Sequence, residues 1–306
     1  MSSIQVLSEV RRALNLGLPV VALESAVITH GLPAPSHLSL AQDAETIVRQ
    51  NGATPATIAI LKGQVHIGLN PVELERLAQK STETLKISRR DIAVAILKQA
   101  NGGTTVAGTM FLAHKAGIQV FATGGIGGVH RGMVFDISAD LYALSDTPML
   151  VVCAGAKAIL DLQATLERLE SLSVPVVGYQ TNEFPAFYSR ESGLPVNIRL
   201  DQVEDIVEFA LAHWQLGMQS AVLVVQPPPE EEAIPGIEVE KWIEQANREA
   251  ALKGVRGPQL TPYLLQRVDE LSSGRALRAN LALLRQNAAL AARIASALAL
   301  RNRTHI

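Results

Sequence analysis

The sequence predicts an α/β fold: a three-layer α/β/α sandwich around a largely parallel or mixed sheet, with a helical C-terminal part. Three observations predict it. Short apolar runs, mostly rich in Val and Ile, recur at residues 20–23, 57–61, 120–122, 150–153, 174–177 and 222–225. Unbroken apolarity of this length marks strands buried on both faces. Stretches with helical character lie between them, at 37–50, 71–79, 108–116, 138–144, 157–169 and 202–216, and such alternation argues for a mainly parallel sheet covered by helices. After Gln226 the pattern breaks at Pro227-Pro228-Pro229-Glu230-Glu231-Glu232, and helix-like segments follow near 238–253, 262–271 and 275–300. The last is Ala/Leu-rich with few charges, so it should pack against the core or a partner subunit. No repeat or linker-like composition shift divides the chain. It reads as one α/β domain, 1–306, with a helical region at about 235–302.

The 306 residues suffice for a large core. Composition is globular, 48% hydrophobic and 18% charged. A net charge of −2 leaves no basic footprint for nucleic acid. One cysteine excludes an internal disulfide and fits a reducing compartment; Cys153, inside an apolar run, reads as a small buried hydrophobe. Met1-Ser2-Ser3-Ile4 does not open a signal peptide, and no run reaches the length of a membrane span. The expectation is a soluble cytoplasmic protein without a nucleic-acid or membrane partner.

Several segments can carry chemistry. Glu24 ends the first strand, where burial raises a carboxyl pKa and suits it to acid–base work; a strand-end Glu paired with a surface Arg is the plainer alternative. Lys86, Arg89 and Arg90 cluster before a probable helix, with Ser88 and Asp91 at capping-box spacing. They can hold a phosphate or form a solvated face. Residues 101–109 pair small residues with Thr104, Thr105 and Thr109 ahead of a helix, a reasonable phosphate cradle or an ordinary N-cap. The glycine-dense segment 122–132 fails the dinucleotide fingerprint, because His130 stands at the third glycine position, and fails the Walker A pattern. What remains is a backbone-exposing loop that ends in His130 and Arg131. Asp136 and Asp140, four apart, can share a hard cation largely through water, or Asp136 and Ser138 can serve as caps. No His/Cys cluster has zinc-site spacing. Lys157 follows the apolar run 149–153 where a helix should begin. Apolar neighbours and the positive end of a helix dipole would both disfavour its ammonium, favouring a nucleophilic amine able to form a Schiff base. A surface lysine in a first helical turn is the competing reading.

Taken together and in order, these segments resemble the pseudouridine-5′-phosphate glycosidase family, which includes the indigoidine synthase A-like proteins. The resemblance rests on VVALES (20–25), HGLPAP (30–35), GATPATIAI (52–60), KISRRD (86–91), GGTTVAGT (102–109), VFATGGIGGVHRG (120–132), FDISADL (135–141), CAGAKAILDL (153–162), VGYQT (177–181) and TPYLLQRV (261–268). It implies reversible conversion of pseudouridine 5′-phosphate and water into uracil and ribose 5-phosphate through a lysine Schiff base. It also implies a divalent cation, typically Mn²⁺, and a homotrimer. Carried over by motif, the nucleophile falls on Lys157 and the proton donor on Glu24. Substrate contacts fall on Lys86, Val106, Ser138, Ala139 and Asp140, the metal on Asp136, and an active-site asparagine on Asn280. Thr105 and His130 join as substrate contacts, and Asp140 as an aid to proton movement. Two departures stand out: a shorter loop between Gly132 and Phe135, and Gln226 where the family has Asn. Two other classes compete: an aldolase-like Schiff-base lyase acting on another phosphosugar, naturally a (β/α)₈ barrel, and a non-catalytic phosphosugar-binding protein.

Overall fold

The computed structural model describes residues 4–31, 36–79, 83–132, 136–255, 257 and 260–304. The strands, in chain order, are β1 (Gln5–Val6), β2 (Val20–Leu23), β3 (Thr54–Leu61), β4 (Gln64–Ile67), β5 (Leu85–Ile87), β6 (Gly102–Thr104), β7 (Val120–Ala122), β8 (Val129–His130), β9 (Leu150–Cys153), β10 (Leu160–Asp161), β11 (Val176–Tyr179), β12 (Ile198–Leu200) and β13 (Val222–Val225). The helices are α1 (Ser8–Asn15), α2 (Ser36–Gln50), α3 (Pro71–Ala78), α4 (Ile92–Leu97), α5 (Val106–Lys115), α6 (Ala139–Asp146), α7 (Leu162–Ser171), α8 (Val203–Gln215), α9 (Gly236–Leu252), α10 (Leu260–Leu271) and α11 (Arg275–Thr304).

The main sheet runs β1-β4-β3-β2-β7-β9-β13-β11-β12, with β6 also paired to β3 and β5 to β6. From β3 to β12 every pairing on that path is parallel; β3 pairs antiparallel with β4 and β6. The sheet is therefore mixed, with a parallel centre. The hairpin β3–β4 turns on Lys62 and Gly63, both at positive φ, the backbone that a two-residue hairpin demands.

Side chains alternate between two cores, as strand geometry requires. Val21, Leu23, Val120, Ala122, Leu150, Val152, Val222 and Val224 face a core shared with α2, α8 and α11. Val20, Ala22, Phe121, Val151, Cys153, Leu223 and Val225 face the opposite core, shared with α5, α6, α9 and α10. That division makes the three layers. Each buried Val or Leu contributes roughly 1.5–3 kcal/mol, which is why apolar runs of four suffice as strands. Cys153 is completely buried, and burial pushes its thiol up to about 12, as fits a structural hydrophobe.

The expected strands are all present; β3 starts earlier than expected, and residues 174–177 lie partly before β11. The short strands β1, β4, β5, β6, β8, β10 and β12 escaped the sequence reading because they have two to four residues and little apolar pattern. The long helix α11 packs on α2, α8, β2, β7 and β9 of its own chain, so its apolar face needs no partner subunit to cover it. Among the described residues no helix is long and apolar enough to cross a membrane.

Candidate active site

The carboxyl ends of β2, β7 and β9 lie side by side, the usual ligand edge of an open α/β sheet. A cavity of about 460 Å³ opens there. Glu24, Lys86, Thr105, Val106, His130, Asp136, Ser138, Ala139, Asp140, Lys157 and Asn280 all line it. The structure thus brings together the residues to which the family resemblance assigns site roles, with Thr105 and His130 beside them.

Glu24 directly follows β2 and its carboxyl accepts a hydrogen bond from the Thr123 hydroxyl, which directly follows β7. Burial raises the Glu24 pKa above the ordinary carboxyl value; Lys157, the Thr123 hydroxyl and Lys86 oppose that rise, and Asp140 reinforces it. A carboxyl with a raised pKa is suited to donate a proton near neutral pH.

Lys86 reaches the site from β5, whose register sets it beside Gly103 of β6. A Cβ at Gly103 would lie 2.4 Å from Thr29 Oγ1 and 2.6 Å from the Ser25 carbonyl. Glycine is therefore what lets β6, and Lys86 with it, close onto the segment after Glu24. Lys86 is exposed overall, and the cavity partly desolvates its ammonium. This desolvation lowers its pKa, and Lys157 lowers it further, against Asp140 and Glu24.

Asp140, in the first turn of α6, is 6% exposed. Its Oδ1 accepts from the Ala107 N–H at 3.0 Å and its Oδ2 from the Gly127 N–H at 2.8 Å. One carboxylate thereby ties the start of α5 to the glycine loop. A Cβ at Gly127 would sit 2.2 Å from Ser138 Oγ and 2.8 Å from Asp140 Oδ2. His130 and Asp136 meet because the His130 N–H donates to the Asp136 carbonyl at 3.0 Å. Desolvation lowers the His130 pKa, while Asp136 raises it.

Lys157 corrects the sequence reading. It lies in the loop between β9 and β10, and α7 begins only at Leu162. It does not start a helix of its own, so the expected helix-start dipole is absent; Glu24 and Lys86 are charged groups that interact with it. The Lys157 N–H donates to the Ile126 carbonyl at 3.1 Å. Arg131 holds the following residues, donating to Leu160 and Ala158 carbonyls at 3.1 and 3.2 Å while pairing with Glu240. It is a brace rather than a ligand group.

The expected cation cluster also divides. Arg89 pairs with Asp146 at 2.6 Å, and only Lys86 and Arg90 line the cavity. In the threonine run, Thr104 is buried and bonded to the Ile58 carbonyl at 2.7 Å, whereas Thr105 caps α5 and faces the cavity. Gln226 is buried and reaches Asn287 at 2.9 Å. The loop between Gly132 and Phe135 lies outside the described residues. Sequence reasoning missed Thr123 as the partner of Glu24 and Phe187 as a cavity wall. Phe187, at φ +64, packs where a Cβ on Gly125 would be 2.6 Å from its ring. The positive φ of a bulky residue has no one-dimensional signal.

A resident metal can be tested on the donor set. Among the described residues no group of three His, Cys, Asp or Glu side chains is placed to enclose an ion. Asp136 presents one carboxylate to the cavity. That set fits a hard cation held by one carboxylate, water and substrate oxygens, and does not fit a closed protein cage.

The profile of the indigoidine synthase A like family matches residues 9–297. The chain is 51% identical over 294 residues to the pseudouridine-5′-phosphate glycosidase of Caldanaerobacter subterraneus subsp. tengcongensis, covering 95% of each. It is 51% identical over 297 residues to that of Sorangium cellulosum, covering 96% of this chain and 93% of the other. The crystal structure of the prealnumycin C-glycosynthase AlnA in complex with ribulose 5-phosphate superposes with a TM-score of 0.92 at 39% identity, over 99% of each chain. An indigoidine synthase A-like protein from Thermotoga maritima superposes with a TM-score of 0.88 at 38% identity, over 97% of each. The chain belongs to the indigoidine synthase A-like family.

Proposed function

We propose that this protein is a pseudouridine-5′-phosphate glycosidase, reversibly cleaving the carbon–carbon glycosidic bond to give uracil and ribose 5-phosphate. The observation that carries the reading is the meeting of Lys157, Glu24, Asp140 and Lys86 in one cavity, in a chain about half identical to proteins of that name. Carbon is a poor leaving atom, so protonating a leaving oxygen between two carboxylates, the ordinary glycosidase route, does not serve here. An amine offers another route. The Lys157 nitrogen bonds to C1′ as the ring oxygen departs with a proton. Glu24 then delivers a proton to uracil C5. The nitrogen lone pair forms the C1′=N bond, and the C1′–C5 pair returns to the base, releasing uracil. Water adds to the imine, freeing ribose 5-phosphate and the amine.

In this reading Asp140 steadies the protons of the opened sugar and Asn280 hydrogen-bonds the base or sugar. Lys86, Thr105, Val106 and His130 line the phosphosugar, with Ser138 and Ala139 completing the wall. Asp136 would hold a Mn²⁺ ion, which would supply positioning and charge compensation. The active form is a homotrimer of single-domain subunits, and its place is the cytoplasm; light scattering on the purified protein checks the first. A C-glycosynthase reading, run toward bond formation, is favoured only by the likeness to AlnA at lower identity.

The test is ultraviolet-monitored turnover of pseudouridine 5′-phosphate, with Mn²⁺ and after chelation. Metal-dependent uracil release is expected. A folded, metal-loaded protein that releases none would refute the assignment.

A further inference from the structure

We propose that Gln226 and Asn287 form a buried amide clamp that positions Glu24, through Thr123, and the Lys157 loop relative to each other. The roles of Glu24 and Lys157 rest on the function proposed above. The helix α11 carries Asn280, Leu284 and Asn287 at helical spacing that sets them on one stripe. Asn280 and Leu284 line the cavity, while Asn287, wholly buried, reaches the ends of the strands behind it. Its Nδ2 donates to the Thr123 carbonyl at 2.8 Å and to the Gly124 carbonyl at 3.4 Å.

Both contacts lead to the reacting groups. The hydroxyl of Thr123 donates to Glu24. The Gly124 carbonyl also accepts from the Ala154 N–H at 2.9 Å, at the base of the loop that carries Lys157. Beyond it the two loops are laced by Ile126 N–H to Gly155 at 3.0 Å and Lys157 N–H to Ile126 at 3.1 Å. Asn287 therefore grips the junction from which both candidate groups depart.

Gln226 orients the grip. It directly follows β13, and its backbone N–H donates to the Cys153 carbonyl at 3.1 Å. Its Nε2 donates to Asn287 Oδ1 at 2.9 Å, which leaves the Asn287 amide nitrogen facing the two carbonyls. Gln286 donates to Gln226 Oε1 at 3.2 Å. Burying two amides in an otherwise apolar layer costs free energy unless their hydrogen bonds are made. Here those bonds end on the backbone of the Glu24 partner. The Gln at 226, where an Asn was expected, has one more methylene with which to reach α11.

The clamp makes a prediction that a purely structural role does not. The charged groups around Glu24 are Lys157, Lys86 and Asp140. Neither Asn287 nor Gln226 adds or removes a charge there, and any withdrawal of the Lys157 ammonium would move Glu24 in the same upward direction. If Thr123 is released, Glu24 loses a hydrogen bond that favours its ionised form, so it titrates at higher pH. The experiment follows the Glu24 carboxyl by ¹³C NMR in the full-length protein, assigned with Glu24→Gln, in wild type, Asn287→Leu and Gln226→Met. The expected shift is upward by about half a pH unit or more. Uracil release should fall about tenfold or more in kcat with KM nearly unchanged.

Folded variants with wild-type titration and kcat would overturn the proposal. If Asn287→Leu does not fold, the near-isosteric Gln226→Met decides alone. If neither folds, the amides are structural and the proposal is wrong. The titration needs no substrate, so a wild type that fails to release uracil would sink the proposed function and leave the clamp to its own test.

Discussion

Asp140→Asn should destabilise the protein by about 1–3 kcal/mol, a value that follows from the two hydrogen bonds at its carboxylate. Oδ1 and Oδ2 each accept one backbone N–H, from Ala107 at 3.0 Å and from Gly127 at 2.8 Å. Asparagine keeps the shape but has one acceptor and one donor. Whichever way the amide turns, one backbone N–H faces an NH₂ group in a site 6% exposed. Leaving a buried donor unpaired costs about 1–3 kcal/mol, and here two donors oppose each other. The surviving bond loses its charge assistance, about another 1 kcal/mol. Relief from burying a carboxylate offsets part of this sum. Urea denaturation of wild type and variant measures it, with Arg90→Gln at the exposed rim as the control. A change within about 0.5 kcal/mol of wild type, the size of an ordinary surface substitution, would refute the claim that this carboxylate ties α5 to the glycine loop.

Other outcomes follow from the same geometry. Gly155→Ala places a Cβ 2.1 Å from the Pro185 carbonyl at φ +87; overpacking and the left-handed backbone together should cost about 2–5 kcal/mol in urea denaturation, and a neutral result would contradict the packing. His66 is buried beside Glu73, and desolvation lowers its pKa below 6.5. The unfolded chain then takes up its proton first as pH falls below 6.5, so stability drops over that window. His66→Gln should flatten urea midpoints between pH 7 and about pH 5, and an unchanged slope would exclude His66 as the cause. Lys86→Met removes one cation that lowers the Glu24 pKa, so the alkaline limb of kcat should move to higher pH. Its KM should rise about tenfold or more if Lys86 holds the phosphate; an unchanged KM would remove it from that role. Asp136→Ala should raise the Mn²⁺ concentration needed for half-maximal turnover, and an unshifted requirement would place the metal elsewhere.

The layered α/β fold was legible because buried parallel strands write themselves as short apolar runs, and Val20–Leu23, Val120–Ala122, Leu150–Cys153 and Val222–Val225 are copied closely in the structure. The small second sheet, β8 with β10, was not legible. The two-residue strands β8 and β10 owe their pairing to contacts between His130 and Leu160, distant in sequence. Lys157 was found for a reason only half physical: the small residues after β9 do mark the ligand edge, but the expected helix begins five residues later. The glycines were read as freedom to approach a ligand, whereas Gly103, Gly125 and Gly127 are needed because side chains of Thr29, Phe187 and Ser138 fill the space a Cβ would take. Thr123 was quoted within its motif but given no role. Its role depends on β7 lying beside β2, which no local pattern states. Gln226 stood out as a departure, and only the fold shows that its amide meets Asn287 across the sheet end.

The most direct test of the central claim is borohydride trapping during turnover of pseudouridine 5′-phosphate, followed by mass mapping of the modified peptide. Reduction should fix a phosphopentose adduct on Lys157, the adduct should be lost in Lys157→Ala, and uracil release should vanish with it. Uracil release at the wild-type rate by Lys157→Ala, or an adduct on another lysine, would contradict the account.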